Sequence, residues 1–185
     1  MKDLRICPQC SSKSRSDYTR FFINKFINEI NVKDKIIDLG CGRARNIYYL
    51  NKLGFENITA IDINKFSEID ITKINFIQTD LSNGIPLQKK YDIIMCNFLF
   101  MFISDKEKLI NEISRISNSD SFCIVELNKK KLSNGIKYDF NEIINLFSKE
   151  WDIVNLRLKT NKFIAKKRSI KKWQEGGNLV HQSSV

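Results

Sequence analysis

Asp38, Gly40 and Gly42 fall at alternate positions in the segment Ile36-Ile37-Asp38-Leu39-Gly40-Cys41-Gly42-Arg43-Ala44-Arg45-Asn46. An apolar run that ends in an acid and turns through two glycines into a helix can hold a ligand against bare backbone. Gly40 and Gly42 can take positive φ, and neither carries a side chain that would block a close approach. Asp38 stands at the strand's carboxyl end, the place where open α/β sheets bind ligands. Its carboxylate suits a cationic group. A dinucleotide fingerprint, G-x-G-x-x-G/A, would require Gly or Ala at position 45. This chain has Arg45 there, so the dinucleotide reading fails.

Two more acids follow at useful positions. Asp62 closes the apolar run 58–63, twenty residues after Gly42. In nucleotide-binding folds an acid at this separation accepts hydrogen bonds from ribose hydroxyls, and one carboxylate can take both hydroxyls. Ile63 beside it can lie flat against adenine. Asp80, in Gln78-Thr79-Asp80-Leu81, follows the next apolar run. The stretch Asp-Leu-Ser-Asn-Gly is also good turn chemistry. Asn97 closes a further run, and Phe98, Leu99, Phe100, Met101 and Phe102 after it supply core or pocket walls.

The pattern D-x-G-x-G-x-A at Asp38, Gly40, Gly42 and Ala44 resembles motif I of the class I S-adenosylmethionine-dependent methyltransferases, whose usual form is (D/E)-x-G-x-G-x-G. The resemblance covers about residues 17–168. It implies that Asp38 helps hold the methionine ammonium group and that Gly40, Cys41 and Gly42 form the turn under the cofactor. It also implies that Asp80 accepts from the adenine amino group and that Leu81 offers its backbone N–H to the ring. Asn97 matches the place of motif IV, which faces both cofactor and substrate. Ala44 replaces the last family glycine, adds one methyl group and is expected to take helical dihedrals. The segment 38–50 is similar to the glycine turns of small-molecule methylators.

The elements that position these residues alternate strand and helix, which argues for a doubly wound α/β fold with a mostly parallel sheet. Apolar runs predict strands at 35–39, 58–63, 75–78, 91–98 and 121–127. Helical spacing of Tyr18, Phe21, Phe22, Phe26, Ile27 and Ile30 predicts a helix over 17–30. Further helices are expected over 44–53, closed by Gly54, over 104–117, opened by a Ser104–Glu107 capping box, and from Asp139 onward. Runs 151–158 and 162–167, joined by a tight Lys-Thr-Asn turn, read as an antiparallel hairpin. The expected product is a seven-stranded sheet with helices on both faces.

The chain has 185 residues, a hydrophobic content of 42% and a net charge of +10. That length suits one domain, placed at 1–168, with an arm at 1–16 and a basic, flexible tail at 169–185. No run approaches the ~18 apolar residues of a membrane span, and no apolar signal region follows Met1, so a cytoplasmic protein is expected. Five cysteines are an odd number. Cys41, Cys96 and Cys123 read as buried, reduced thiols. Cys7-Pro8-Gln9-Cys10 is half of a zinc knuckle without its other half, so no metal site is assigned.

Methyl transfer from a sulfonium depends chiefly on alignment of the reacting atoms, and a base is needed only where the acceptor must lose a proton. His181, the only histidine, lies in the tail. Asp17, Tyr18, Asn97 and Glu126 are the polar candidates near the expected mouth, and none is singled out as catalytic. The acceptor is a small molecule or a macromolecule. Nucleic acid enters through the strip Lys159, Lys162, Lys166, Lys167, Arg168, Lys171 and Lys172 beside Trp173, which could track phosphates and stack a base. The same lysines could simply guard an edge strand. Asn97-Phe98-Leu99-Phe100 shares its ends with the (D/N/S)-P-P-(Y/F/W) motif of DNA amino-methylating enzymes but lacks both prolines. A non-catalytic cofactor-binding or nucleic-acid-binding module on the same scaffold is the remaining reading, and the intact Asp38, Gly40, Gly42, Asp62 and Asp80 argue against it.

Overall fold

The computed structural model describes residues 16–65, 74–128 and 138–169. The Cys7–Cys10 pair, His181, Lys171, Lys172 and Trp173 lie outside the described residues.

Seven strands form one sheet in the order β3-β2-β1-β4-β5-β7-β6. They are β1 (Ile36–Leu39), β2 (Ile58–Asp62), β3 (Asn75–Gln78), β4 (Tyr91–Asn97), β5 (Ser117–Glu126), β6 (Trp151–Arg157) and β7 (Lys162–Lys167). Strands β3, β2, β1, β4 and β5 pair in parallel, and β7 runs antiparallel to both β5 and β6. The mostly parallel sheet with a closing antiparallel hairpin is therefore present as the alternation of elements predicts. The order reverses at β1, which lies between β2 and β4. Such a switch point opens a crevice at the carboxyl ends of the strands, and the glycine turn sits there.

Alternate residues of each strand feed two cores. Ile37, Leu39, Ile94, Cys96, Cys123, Val125, Phe163 and Ala165 pack under α3 (Lys106–Arg115) and α4 (Phe140–Phe147). Ile36, Ile93, Met95, Phe122, Ile124 and Ile164 pack under α1 (Asp17–Lys25) and α2 (Arg45–Lys52). Phe122 of β5 meets Phe22 and Phe26 at centroid distances of 5.4 and 4.8 Å, which seats α1 on the sheet. The period of two in a strand then sets Asp38, Asn97, Glu126 and Lys162 on the α1/α2 face. Cys41, Cys96 and Cys123 are buried free thiols, as expected.

Several boundaries differ from the sequence reading by a residue or two, and three differences have a local cause or a larger extent. The first helix ends at Lys25 rather than at residue 30. Downstream, Asn31 and Asp34 bond to local amides, Asp34 Oδ2 accepting from the Asn31 N–H and Asn31 Oδ1 from the Lys33 N–H. Such side-chain bonds compete with helix. The cap of α3 is Asp105, whose carboxylate accepts from the Lys108 amide at 2.9 Å, so the Ser104–Glu107 box is not used. Strand β5 begins at Ser117 instead of residue 121, with Asp120 at φ 63° in its irregular first half.

Candidate active site at the carboxyl edge of the sheet

The turn after β1 is left-handed at three alternate positions: Gly40 (φ 73°), Gly42 (φ 53°) and Ala44 (φ 56°). Two glycines take that region at no steric cost. Ala44 corrects the sequence reading, because it is the αL cap before α2 rather than a helical residue. The turn is pinned from behind by the Ile61 carbonyl, which accepts from the Gly40 and Cys41 amides at 2.8 and 3.0 Å. The Gly42 amide donates to Asp62 Oδ2 at 2.8 Å, and the Asn64 amide donates to Asp62 Oδ1 at 2.9 Å. Asp62 therefore braces both the glycine turn and the loop that follows β2. A Cβ built on Gly40 would lie 3.1 Å from Leu99 Cδ1, so this turn also packs against the segment after β4. The Cys41 thiol is buried and donates to the Gly42 carbonyl at 3.6 Å.

Asp38 is 1% exposed, and its Oδ2 has no hydrogen-bond partner. Burial first and the Asp62 charge second, opposed by the Arg45 charge, push its carboxyl up to about 7. A buried polar oxygen without a partner costs free energy. A cation placed beside it would lift that cost, so the residues present fit a ligand that carries an ammonium group.

Asp80 and Leu81 open the loop after β3. Asp80 caps a short 3-10 turn (Leu81–Asn83) by accepting from the Ser82 amide at 2.9 Å, and Leu81 is buried. The loop beyond them is clamped to α3. Arg115 donates to the Ile85 and Leu87 carbonyls, each at 2.8 Å, and Glu112 accepts from the Ile85 amide at 3.1 Å. The hydrogen-bonded Arg115 holds the Glu112 carboxyl down at about 2. Ile63 is half-buried, and its carbonyl accepts from Gln78 Nε2 at 3.1 Å.

The other half of the mouth is a row across the sheet. Asn97 is in register with Glu126, Glu126 with Lys162, and Lys162 with Arg157. Asn97 Nδ2 donates to Glu126 Oε2 at 3.1 Å, and Lys162 Nζ lies 2.5 Å from Glu126 Oε1. Ser16, just ahead of α1, donates its hydroxyl to the same Oε2, and its amide donates to Asn46 Oδ1 at 2.9 Å. Asn46 Nδ2 in turn reaches Asn97 Oδ1 at 3.4 Å. Five elements thus meet at one buried polar cluster, in which Asn46, Asn97 and Glu126 are each 9% exposed or less. Phe98, next to Asn97, is held at φ 61°, a costly conformation for an aromatic residue.

Of the polar candidates read from sequence, Asn97 and Glu126 come together here. Tyr18 is buried nearby, but its hydroxyl donates to Asn155 Oδ1 at 2.9 Å, and burial pushes its ionisation out of reach. Asp17 is exposed and lies 3.7 Å from Arg20, so it stands apart from the cluster. Ser16 and Asn46 were not foreseen, and Lys162 was read only as part of the basic strip. For Lys162 a signal existed, since a lysine in the hairpin beside an inward-facing acid is a cross-strand pair. Among the described residues no group of three metal-ligating side chains occurs.

Residues 37–125, from β1 through β5, match the family model described as methyltransferase domain. Over these residues the chain is a methyltransferase domain, similar to the class I S-adenosylmethionine-dependent enzymes. Among curated relatives it is 33% identical over 78 residues to a Haemophilus influenzae protein named "Probable S-adenosyl-L-methionine-dependent methyltransferase TehB", over 38% of this chain and 27% of that one. It is 23% identical over 112 residues to the ribosomal protein L11 methyltransferase of Thermotoga petrophila, over 57% of this chain and 40% of the relative. The chain therefore spans less than half the length of both relatives. The crystal structure of Haemophilus influenzae TehB superposes with a TM-score of 0.63 at 20% identity, covering 80% of this chain and 62% of that one. The Burkholderia thailandensis 1,6-didemethyltoxoflavin-N1-methyltransferase, solved with S-adenosylhomocysteine and 1,6-didemethyltoxoflavin, superposes with a TM-score of 0.65 at 14% identity, covering 83% and 79%. These likenesses establish a methyltransferase fold, and the cofactor of the family is S-adenosylmethionine. Among the described residues no helix is long and apolar enough to cross a membrane.

Proposed function

We propose that this chain transfers a methyl group from S-adenosylmethionine to an acceptor held beside Asn97 and Glu126. The observation that carries the reading is the buried, unpartnered Asp38 Oδ2 next to a left-handed glycine turn. Asp38 would take the ammonium of the cofactor's methionine part. Gly40, Cys41 and Gly42 would lie under it as bare backbone. Asp62 would accept from the ribose hydroxyls while keeping the Gly42 amide, because a carboxylate offers about four acceptor sites. Ile63 would cover one face of the adenine, and Asp80 with the Leu81 amide would meet its edge. When bound, S-adenosylmethionine supplies an electrophilic methyl group on a cationic sulfur. The protein's share is to align the acceptor with that carbon and keep water out, which can supply a large part of the rate.

A small-molecule acceptor is favoured over nucleic acid. Four described residues of the basic strip are paired with the protein's own carboxylates. Lys162 pairs with Glu126, Lys166 with Glu29 at 2.8 Å, Lys167 with Glu150, and Arg168 with Asp152 at 2.7 Å. A soluble, cytoplasmic protein is the setting this chemistry fits. The test is transfer of tritiated methyl from labelled S-adenosylmethionine to separated metabolite, protein, RNA and DNA fractions. Label in the metabolite fraction alone is expected, and label in RNA or DNA would reverse the choice of acceptor.

A further inference from the structure

Building on that cofactor reading, we propose that Glu126 is the acceptor-binding carboxylate, and that the acceptor presents an N–H or O–H group to it. The argument starts from what Glu126 costs. A carboxylate that is 4% exposed loses most of its hydration, and that loss is recovered only through close partners. Here Lys162 takes Oε1 at 2.5 Å, while Oε2 is held by Asn97 Nδ2 at 3.1 Å and by the Ser16 hydroxyl. The whole arrangement stands at the carboxyl ends of β4 and β5, beside the glycine turn, where apolar residues would be cheaper. A buried carboxylate with three converging polar partners at such an edge points to a ligand.

The polarity of the cluster selects the ligand. Glu126 Oε2 can only accept hydrogen bonds. Asn97 also turns its Oδ1 toward a donor, the Asn46 amide nitrogen at 3.4 Å, which is a long contact. An amine or a hydroxyl would be held by these oxygens. A thiolate or another soft anion would be repelled by the carboxylate. Ser16 shows the fit with the protein's own hydroxyl. That hydroxyl oxygen also accepts from the Tyr18 and Thr19 amides at 3.0 and 3.4 Å, so it keeps partners when an incoming N–H or O–H replaces it on Oε2. In the transfer itself, the acceptor's lone pair forms the new bond to carbon and the carbon–sulfur pair stays on sulfur. The acceptor's proton passes to Glu126 and from there to water.

Two cofactor analogues test this without knowledge of the acceptor. Sinefungin carries an amine where S-adenosylmethionine carries its transferable methyl, and S-adenosylhomocysteine carries nothing there. Calorimetry should show the wild-type chain binding sinefungin about tenfold more tightly than S-adenosylhomocysteine, the size of one charge-assisted hydrogen bond. Glu126→Gln should bring the two affinities close to parity while leaving S-adenosylhomocysteine within about twofold of wild type. Ser16→Ala, which removes one of the two donors on Oε2 and leaves Asn97 Nδ2, should widen the preference severalfold and serves as the second variant should Glu126→Gln fail to fold. A preference that is absent in wild type, or that neither variant moves, overturns the assignment of Glu126 and leaves the cofactor site standing. Failure of wild type to bind either compound overturns both.

Discussion

The Gly42 amide donates to the Asp62 carboxylate at 2.8 Å across twenty residues, so the glycine turn after β1 and the acid closing β2 form one unit. The same carboxylate accepts from the Asn64 amide at 2.9 Å. Removing it leaves two backbone donors to water and would take away the proposed ribose partner at one stroke. Asp62→Ala should weaken S-adenosylhomocysteine binding by about a hundredfold, since hydrogen bonds to a charged group are worth ~1.5–3 kcal/mol each. It should also lower Tm by several degrees. Calorimetry and thermal melts check this, and an Asp62→Ala variant that binds as wild type does would refute it.

Asp38 makes a prediction of opposite signs for stability and binding. Its carboxyl is raised from its ordinary value to about 7, first by burial and then by the Asp62 charge. Between those values the folded chain holds a proton that the unfolded chain has lost. The stability of the cofactor-free chain therefore falls as pH rises through that window and levels off above about 7. Asp38→Asn should lack this slope and be more stable than wild type above pH 7. A cationic ligand prefers the ionised form, so cofactor affinity should rise with pH toward 7 and then flatten, and Asp38→Asn should bind poorly at every pH. Urea denaturation and binding measured on both sides of pH 7 provide the check.

Ala44 sits at φ 56° with its backbone bonded on both sides, its amide to the Cys41 carbonyl and its carbonyl to the Tyr48 amide, each at 3.0 Å. A residue with a Cβ in this region costs about 1 kcal/mol relative to glycine. Ala44→Gly should therefore stabilise the fold by about 0.5–1 kcal/mol, read as a higher urea midpoint with an unchanged slope. Gly40→Ala should do the reverse, because its φ is 73° and its new Cβ would stand 3.1 Å from Leu99 Cδ1.

Local chemistry was readable and long-range convergence was not. The Asp38–Gly42 turn, the alternation of strand and helix, and the acids at 62 and 80 are all set by neighbouring residues. The left-handed turn at Ala44 was missed because alanine is a good helix former, and only the turn's geometry demands otherwise. The Asp62 brace to Gly42 N–H was missed because a carboxylate read as a ribose partner need not bond the protein as well. Ser16 and Glu126 meet across 110 residues, and no spacing in the chain announces it. Asn46 was visible in the first turn of α2, yet its role depends on the register that sets Asn97 beside Glu126. The basic strip showed its lysines but not their partners, Glu29, Glu150 and Asp152, which the fold brings to them.

Those partners lead to a prediction for nucleic acid. Each exposed pair is worth little to stability, but it lowers the field the strip can offer to phosphates. Changing Lys166 and Lys167 together to Ala should leave the affinity for a generic RNA duplex within about twofold and the salt slope unchanged, where each true phosphate contact would lower that slope by about 1. Filter binding across a salt series measures it. A clear fall in slope would restore nucleic acid as the acceptor.

The account rests on the glycine turn and Asp38 as the seat of the methyl donor. Calorimetric titration of the full chain with S-adenosylmethionine, beside Asp38→Asn, tests that most directly. A dissociation constant in the micromolar range, about −8 kcal/mol, weakened at least about a hundredfold by Asp38→Asn, is the predicted result. Wild-type binding no tighter than millimolar, or an Asp38→Asn variant that binds as wild type does, would contradict it.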